Sequence, residues 1–429
     1  MTTGRLLSLV IDKPAAGGRM LARHEGQVVL VSGAIPGERV TARVEREQHG
    51  VLYASTVGVE TPHAARRAGP PDPACGGMAY AHIAPEHQRL LKAEVVADAF
   101  ARIAKIPLAG PVGVAASPER GYRMRARVHV RRGRLGSFRE GTHDICDYGQ
   151  TGQLLDATAA VLDEVASRLA RHGVEEVEAI ELAENLSGEE RVLHVQPGAR
   201  RIGRPVLADL ASAPGVTGLS AALGAGTRFV TIAGRAWVSD PLADFGPAGS
   251  SPPAGATLRR HATSFFQANR YLAPGLAARV VALARPGPLV DLYAGVGLFA
   301  LTAAAAGQAH VVAVEGERGS AADLEHNARP FGGRVRVERG AVERFLALPR
   351  DEPPATLIVD PPRTGMTREA MAGVLETGAA RVIYVSCDVA TLARDAARLT
   401  AAGYGLSAIE AFDLFPNTAH IEALAVFDK

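Results

Sequence analysis

Short apolar segments, each ending in a polar residue, recur through the carboxyl-terminal third of the chain. They cover residues 288–293, 311–315, 356–360 and 383–388, with helical patterns between them. Uninterrupted apolar runs of this length are typical of strands buried in a parallel sheet, and their alternation with helices is typical of a doubly wound fold. Ligands of such sheets bind outside the carboxyl ends of the strands. The sequence therefore predicts an α/β, doubly wound, Rossmann-like domain over residues 261–429.

A glycine turn follows the first of these strands, in Asp291-Leu292-Tyr293-Ala294-Gly295-Val296-Gly297, and the next strand ends at Glu315. Glycines let the backbone approach a ligand, and an acid about twenty residues further on can bind ribose hydroxyls. The third glycine of a dinucleotide fingerprint is missing. This pattern favours a nucleoside without a pyrophosphate, such as S-adenosylmethionine (SAM), over NAD.

Cys387 follows the last of these strands and precedes a helical pattern. A cysteine at the carboxyl end of a strand can act as a nucleophile, although most free cysteines are buried and unreactive. Asp360 ends a neighbouring strand, in the turn Asp360-Pro361-Pro362-Arg363, and Glu422 precedes the final strand. On the pattern alone, the favoured interpretation of Glu422 is a surface acid that caps a strand.

The amino-terminal residues 1–61 contain short strand patterns separated by turn residues, including 28–31, 39–44 and 51–59. This size and spacing are typical of a small oligonucleotide-binding (OB-like) barrel. Several basic residues could line one face of it for RNA, namely Arg19, Arg23, His24, Arg43 and Arg46. An ordinary solvated barrel surface is the alternative interpretation.

Residues 62–260 indicate a mixed α+β central domain. The pattern over 85–106 predicts a helix that could pack on the α/β domain of residues 261–429, and the Pro/Gly/Ser-rich stretch 246–255 indicates a linker. Arg123, Arg125 and Arg127 alternate with apolar residues, which places them on one face of a strand. No acid lies between Glu119 and Glu140, so we expect phosphate to neutralise this face, with plain solvation as the alternative.

The whole chain bounds the possibilities further. Its net charge is +2, and its three cysteines at 75, 146 and 387 do not suggest a disulfide framework, which favours a reducing compartment. No apolar stretch approaches the roughly 20 residues of a membrane span. We therefore expect a cytoplasmic protein without membrane association, and by default a monomer.

Several motifs, taken in order along the chain, resemble those of the SAM-dependent RNA uracil-5 methyltransferase family. They are Phe265-Phe266-Gln267-Ala268-Asn269, Asp291-Leu292-Tyr293-Ala294-Gly295-Val296-Gly297, Asp360-Pro361-Pro362-Arg363, Ser386-Cys387-Asp388 and Phe415-Pro416-Asn417-Thr418-Ala419-His420-Ile421-Glu422. Residues 1–61 resemble the TRAM domain, an RNA-binding barrel of many members, through Gly17-Gly18 and Ile35-Pro36-Gly37-Glu38. The resemblance implies a class I methyltransferase domain behind the barrel and the central domain.

The resemblance also implies the chemistry. A Cys387 thiolate would add to C6 of uracil and make C5 nucleophilic, and Glu422 would later remove the C5 proton. Arg363 would orient the uracil. Contacts to SAM are implied for Gln267, Tyr293, Gly295, Glu315 and Asp360, and contacts to RNA for Arg123, Arg125 and Arg127.

Some family members hold a [4Fe–4S] cluster with four cysteines. Only Cys75 and Cys146 are available here, so we expect neither an iron–sulfur cluster nor another metal, and we expect these two residues to be structural or incidental. The TRAM-like barrel favours a 23S rRNA uridine as substrate over a tRNA uridine. The alternatives are a tRNA uridine-C5 methyltransferase, an exocyclic amino methyltransferase, or a non-catalytic RNA-binding factor with a SAM-like pocket.

Overall fold

The structure, a computed structural model, describes residues 4–70, 72–131, 134–174, 176–198, 202–222 and 229–429. Its strands are β1 (Leu6–Pro14), β2 (Met20–His24), β3 (Gln27–Ser32), β4 (Arg39–Gln48), β5 (Val51–Thr61), β6 (Gly113–Ala115), β7 (Arg125–Arg131), β8 (Arg134–Phe138), β9 (Ile145–Asp147), β10 (Glu176–Glu184), β11 (Arg191–Pro197), β12 (Gly218–Ala222), β13 (Phe229–Gly234), β14 (Trp237–Pro241), β15 (Thr257–His261), β16 (Leu289–Leu292), β17 (Val311–Glu315), β18 (Val335–Arg339), β19 (Thr356–Val359), β20 (Arg381–Ser386), β21 (Gly405–Phe412) and β22 (Glu422–Asp428). Its helices are α1 (Pro85–Ala99), α2 (Asp156–Arg171), α3 (Arg204–Ala211), α4 (Ala273–Ala282), α5 (Leu298–Ala305), α6 (Arg318–Ala328), α7 (Val342–Leu346), α8 (Arg368–Glu376) and α9 (Val389–Ala401).

The first five strands close into a barrel in the order β1-β2-β3-β5-β4. Inward-facing residues alternate with exposed ones along β1, in which Leu7, Leu9 and Ile11 enter the barrel core. Alternation of this kind follows from the two-residue repeat of a strand. The predicted amino-terminal barrel is therefore confirmed.

The central sheet has the order β13-β12-β11-β10-β7-β8-β9, and α2 and α3 supply Val165, Leu169 and Leu210 to its apolar core. The Gly/Pro/Ser-rich stretch 246–255 lies within the connection between β14 and β15, which pair with each other. The stretch is therefore part of the loop that joins two paired strands, whereas its composition suggests a linker between domains.

The catalytic sheet has the order β18-β17-β16-β19-β20-β22-β21-β6. Strands β16 to β20 are parallel, and β16 pairs with both β17 and β19, so the strand order reverses beside β16. Helices α4, α5 and α6 cover one face, and α1, α7, α8 and α9 cover the other. Burial on both faces explains the uninterrupted apolar runs, and the predicted doubly wound fold is confirmed.

Segments from before residue 261 complete this sheet. β6 pairs with β21 in parallel, and α1 packs on α9 as well as on β6. Leu91 of α1 enters the barrel core, whereas Val96 of the same helix enters the core of the catalytic sheet. The packing of α1 on the catalytic sheet agrees with the expectation for the 85–106 helix.

Cys75 and Cys146 form a disulfide, contrary to the expectation from the scattered cysteines. Their separation of 71 residues hides the pairing in the sequence. Antiparallel pairing explains it: Cys75 forms a bridge with Arg139, and Cys146 pairs with Ser137 in the adjoining hairpin. Separately, no helix in the described part of the chain is long and apolar enough to cross a bilayer.

Candidate active site

The catalytic sheet brings together the ends of its parallel strands at the reversal point. Tyr293 follows β16, Glu315 ends β17, Asp360 follows β19 and Cys387 follows β20. In the registers of these pairs, Leu292 lies opposite both Val314 and Val359. Because open α/β sheets bind ligands in the crevice at such a point, these residues border the expected ligand site.

The glycine turn after β16 has a backbone that glycine favours. Tyr293, Gly295 and Gly297 have φ values of +61°, +57° and +99°. A Cβ atom at Gly297 would lie 2.7 Å from Leu324 Cδ1, so a larger residue cannot be placed there without a shift. At Gly295 the nearest atom to such a Cβ is 3.9 Å away, which leaves this part of the turn open to a ligand.

Glu315 connects the glycine turn to the next loop. Its Oε2 accepts a hydrogen bond from the Gly295 amide at 2.7 Å, and its Oε1 accepts one from the Glu317 amide at 2.6 Å. Burial raises the pKa of this carboxyl, and the backbone amides oppose the shift. Each carboxylate oxygen retains a second lone pair for ribose hydroxyls.

Asp291 and Tyr293 complete this half of the site. Asp291 Oδ2 accepts from the Ala300 amide at 2.9 Å, while the buried Oδ1 has no partner among the described residues. The Tyr293 ring packs against the core beneath α7, α8 and α9. An unpaired buried acceptor, an open glycine backbone and Glu315 fit a nucleoside cofactor such as SAM.

Glu422 lies beside Cys387 because β22 runs antiparallel to β20. Ser386, the last residue of β20, pairs with Ala423, and Glu422 begins β22. The Cys387 side chain is partly exposed, whereas Glu422 is buried with 3% of its surface exposed. The sheet thus places a thiol at the mouth of the site and a carboxyl behind it.

Two carboxyls and one guanidinium set the electrostatics. Burial and, to a lesser extent, the Glu422 and Asp360 carboxyls raise the pKa of Cys387 to about 11, and Arg363 opposes this shift. Burial also raises the pKa of Asp360 to about 7. The pKa of Glu422 lies well above its usual range because of burial and the nearby Asp360. Neighbouring carboxyls with raised pKa values are typical of acid–base sites.

Gln267 joins the cofactor side to this carboxyl pair, because its Nε2 donates to Asp360 Oδ2 at 3.2 Å. The segment around Gln267 is held by the central domain, since the Met124 amide donates to Ala268 O at 2.8 Å. Asn269 Nδ2 donates to Leu414 O at 2.9 Å, on the other side of the site. Gln267, Asp360, Arg363, Cys387 and Glu422 therefore converge in space.

The basic strand β7 shows the predicted alternation, but neighbouring acids partly neutralise it. Arg125 and Arg127 lie 3.8 Å and 3.6 Å from Glu181, and Arg127 also lies 3.3 Å from Glu178. Both acids belong to β10, which pairs with β7. The absence of nearby acids in the sequence was therefore a poor guide to this face, because cross-strand partners come from a distant segment.

Arg123 has a different position from Arg125 and Arg127. Its Nη1 donates to Gln153 Oε1 at 2.8 Å, and its guanidinium carbon lies 5.6 Å from the centre of the Phe415 ring. Phe415 belongs to the segment between β21 and Glu422. The structure therefore places Arg123 against the segment that leads into Glu422, and the other two arginines on the central sheet.

The sequence patterns did not predict a role for Gln88 and Lys92, which contact the segment that leads into Glu422. Lys92 Nζ donates to Asp413 Oδ1 at 2.5 Å, and Gln88 Nε2 donates to Asn417 Oδ1 at 2.9 Å. Both side chains are buried. Two polar residues four positions apart, on a helix face that also carries buried apolar side chains, were the available signal.

Comparisons with known proteins show what the chain is similar to. The family model described as tRNA (Uracil-5-)-methyltransferase matches residues 351–429, and the TRAM domain model matches residues 2–57. An RNA methyltransferase of Streptomyces coelicolor, described as uncharacterized, is 32% identical over 457 residues, covering 99% of this chain and 93% of that protein.

Two further proteins are similar along nearly their whole length. The 23S rRNA (uracil(1939)-C(5))-methyltransferase RlmD of Azoarcus sp. is 32% identical over 448 residues, which cover 98% of this chain and 99% of that protein. The structure of Pyrococcus abyssi tRNA (uracil-54, C5)-methyltransferase, in complex with S-adenosyl-L-homocysteine, superimposes with a TM-score of 0.75 at 20% identity, covering 98% of this chain and 99% of that one. The chain belongs to the family of SAM-dependent RNA uracil-5 methyltransferases.

Proposed function

We propose that the protein methylates C5 of a uridine in 23S ribosomal RNA through a covalent bond between Cys387 and C6 of the base. The observation that carries the proposal is the pairing of β20 with β22, which sets Glu422 beside Cys387. An amino methyltransferase needs neither a nucleophile nor a base in this position. The near-complete match to a protein named as a 23S rRNA (uracil-C5) methyltransferase supports the ribosomal substrate.

The residues of the chain divide the reaction into two easier parts. Cys387 loses its proton to solvent through its partly exposed side, and Arg363 stabilises the thiolate against the effect of burial. The Sγ–C6 bond forms, and the electron pair of the C5=C6 bond moves towards O4, so that C5 becomes nucleophilic. SAM, when bound, supplies the electrophilic methyl group.

Glu422 acts in the second part. Once C5 carries the methyl group, the Glu422 carboxylate takes the C5 proton, the C5=C6 bond re-forms, and the Sγ–C6 bond breaks with its electron pair on sulfur. Glu422 Oε1, which has no hydrogen-bond partner among the described residues, is the acceptor that this step needs. Its raised pKa makes it a stronger base than an ordinary carboxylate.

Gln267, Tyr293, Gly295, Glu315 and Asp360 would hold the cofactor, and Arg363 the uracil. The target base must leave its stack to reach Cys387, and such a step needs contacts to the flanking nucleotides. The barrel and Arg123 would supply these contacts next to the site. Arg125 and Arg127 would add a weaker contribution because Glu181 lies close to both.

The substrate is tested with purified protein, SAM and two unmodified transcripts, 23S rRNA and tRNA. Digested nucleosides are analysed by mass spectrometry, and Cys387→Ala serves as the control. We expect 5-methyluridine in the 23S transcript, and none with the variant. Methylation of the tRNA alone would overturn the ribosomal assignment, and a methyl group on an exocyclic nitrogen would overturn the C5 mechanism.

A further inference from the structure

The segment 413–420, here called the catalytic loop, lies between β21 and Glu422 and is held by α1, a helix from the amino-terminal quarter of the chain. Gln88 and Lys92 lie four residues apart on α1, so they share one helix face. Lys92 Nζ donates to Asp413 Oδ1 at 2.5 Å and to Phe415 O at 3.1 Å. The helix therefore contacts the start of the catalytic loop through a buried ion pair.

Gln88 holds the middle of the loop through both ends of its amide. Its Nε2 donates to Asn417 Oδ1 at 2.9 Å, and its Oε1 accepts from the Asn417 amide at 2.9 Å. The same Nε2 also lies within hydrogen-bonding distance of Tyr80 O and Ile83 O, at 3.1 Å and 2.9 Å. Gln88 is completely buried, so loss of its amide would leave several buried polar groups without a partner.

Asn417 has a φ of +65°, in the left-handed region that most residues avoid. Two more contacts from the amino-terminal half fix it: Arg67 Nη2 donates to its Oδ1 at 2.7 Å, and the Tyr80 amide donates to its carbonyl at 2.8 Å. A residue with strained backbone keeps this conformation only when its surroundings determine it.

The barrel also contacts the catalytic loop. Ala419 packs against the barrel core, to which Leu91 of α1 belongs as well. A Cβ atom at Gly18, in the turn between β1 and β2, would lie 2.9 Å from Ala419 Cβ. The barrel and the base are thus separated by the short run from Ala419 to Glu422.

Glu422 depends on this support because its own carboxyl is weakly anchored. Its Oε1 is buried without a partner in the described part of the chain. Within the loop, Thr418 Oγ1 donates to Phe415 O at 2.7 Å and accepts from the His420 amide at 3.1 Å. A shift of Asn417 would therefore move the backbone that carries Glu422.

We propose that Gln88, through Asn417, is a positioning residue for the base Glu422, and that the docked barrel and α1 are part of the catalytic apparatus as well as of RNA binding. This inference rests on the proposed covalent mechanism. Gln88→Leu should disturb the second part of the reaction and leave attack by Cys387 largely intact. The methylated RNA then stays bound to Cys387 for longer.

The test separates the two parts of the reaction on a denaturing gel. Protein, SAM and labelled 23S transcript are mixed, and the fraction of RNA that migrates with the protein is compared with the rate of release of methylated RNA. For Gln88→Leu we expect release to slow by about 10- to 100-fold, as for small misplacements of a catalytic group, with a matching rise in adduct. Glu422→Gln should trap adduct even more strongly.

Two further variants guard against a general loss of structure. Asn417→Gly keeps the positive φ and removes only the side-chain acceptor, so it should also accumulate adduct. Leu169→Ala creates a cavity in the core of the central sheet and should lower the melting temperature without raising the adduct fraction.

Hydrogen exchange gives a readout that needs neither SAM nor RNA. In the free protein, amides of residues 413–422 should exchange faster in Gln88→Leu than in Leu169→Ala. If Glu422→Gln traps adduct while Gln88→Leu and Asn417→Gly release RNA at the wild-type rate, the positioning role is refuted. If no variant, including Glu422→Gln, forms any adduct, the covalent mechanism itself fails.

Discussion

Glu422 begins β22 at the point where Cys387 follows β20, and the antiparallel pairing of Ser386 with Ala423 makes the two residues neighbours. Their proximity has an electrostatic consequence. The carboxyl raises the pKa of the thiol, and burial raises the pKa of both groups. Two groups that must each become anionic therefore act in sequence, because their simultaneous ionisation is unfavourable.

Glu422→Gln should stabilise the protein at alkaline pH. A carboxyl whose folded-state pKa is raised contributes stability below its unfolded pKa, near 4.5, and that stability is lost as pH rises towards the folded value. Glutamine mimics the protonated carboxyl and does not titrate. We expect equal melting temperatures of the two proteins at pH 4 and a higher one for the variant at pH 8, measured by calorimetry. A variant that is less stable at pH 8 would contradict the raised pKa.

The reactivity of Cys387 should follow the charges around it. With a pKa of about 11, the thiol of the free protein should react slowly with iodoacetamide near neutral pH and faster as pH approaches 11. Glu422→Gln removes a carboxyl and should lower the midpoint of the pH profile, whereas Arg363→Leu removes the opposing cation and should raise it. Mass spectrometry of the Cys387 peptide gives the rates. Profiles that do not differ among the three proteins would show that these side chains do not control the thiol.

Lys92 and Asp413 form a buried pair, and loss of either partner alone should be costly. Lys92→Met would leave the Asp413 carboxylate buried without its cation, which typically lowers the free energy of unfolding by about 3–5 kcal/mol. The double variant Lys92→Met with Asp413→Asn removes both charges and should recover much of the loss. Urea unfolding of the wild-type protein, the two single variants and the double variant gives the coupling free energy between the two side chains. Strictly additive effects on the free energy of unfolding would argue against a direct pair.

The arginines of β7 should contribute unequally to RNA binding. Arg127 has an exposed side chain, so Arg127→Ala should reduce the slope of log affinity against log salt by up to about 1, as for one lost phosphate contact. Arg125 is more buried and paired with Glu181, and Arg125→Ala should change that slope less. Filter binding at several salt concentrations measures both slopes. A larger change for Arg125→Ala would contradict this ranking.

Local patterns predicted the parts of the molecule whose contacts are regular. The apolar runs predicted the parallel strands because a strand that is buried on both faces is apolar along its whole length. The carboxyl ends of these strands placed Asp360 and Cys387 at one edge of the sheet. The alternation in β7 was also correct. These features depend on the repeat of the strand and therefore appear in a short window of sequence.

Contacts between distant segments were not predictable in the same way. The Cys75–Cys146 disulfide, the pairing of β6 with β21 and the neutralisation of Arg125 by Glu181 all depend on the register between segments far apart in the chain. The support of Asn417 by Gln88 spans more than three hundred residues, since the two lie 329 positions apart. In the sequence this contact is represented only by a glutamine within a helical pattern. Composition does not show whether such a glutamine is buried or exposed.

The most direct test of the central claim is to isolate the protein–RNA adduct of Glu422→Gln and map the attachment site. The variant is incubated with SAM and 23S transcript, digested with nuclease and protease, and analysed by mass spectrometry. The account predicts a methylated uridine attached to the peptide that contains Cys387. It predicts no adduct for the double variant that carries Cys387→Ala together with Glu422→Gln. An RNA methylated at uridine C5 by Cys387→Ala alone, or an adduct on another residue, would contradict it.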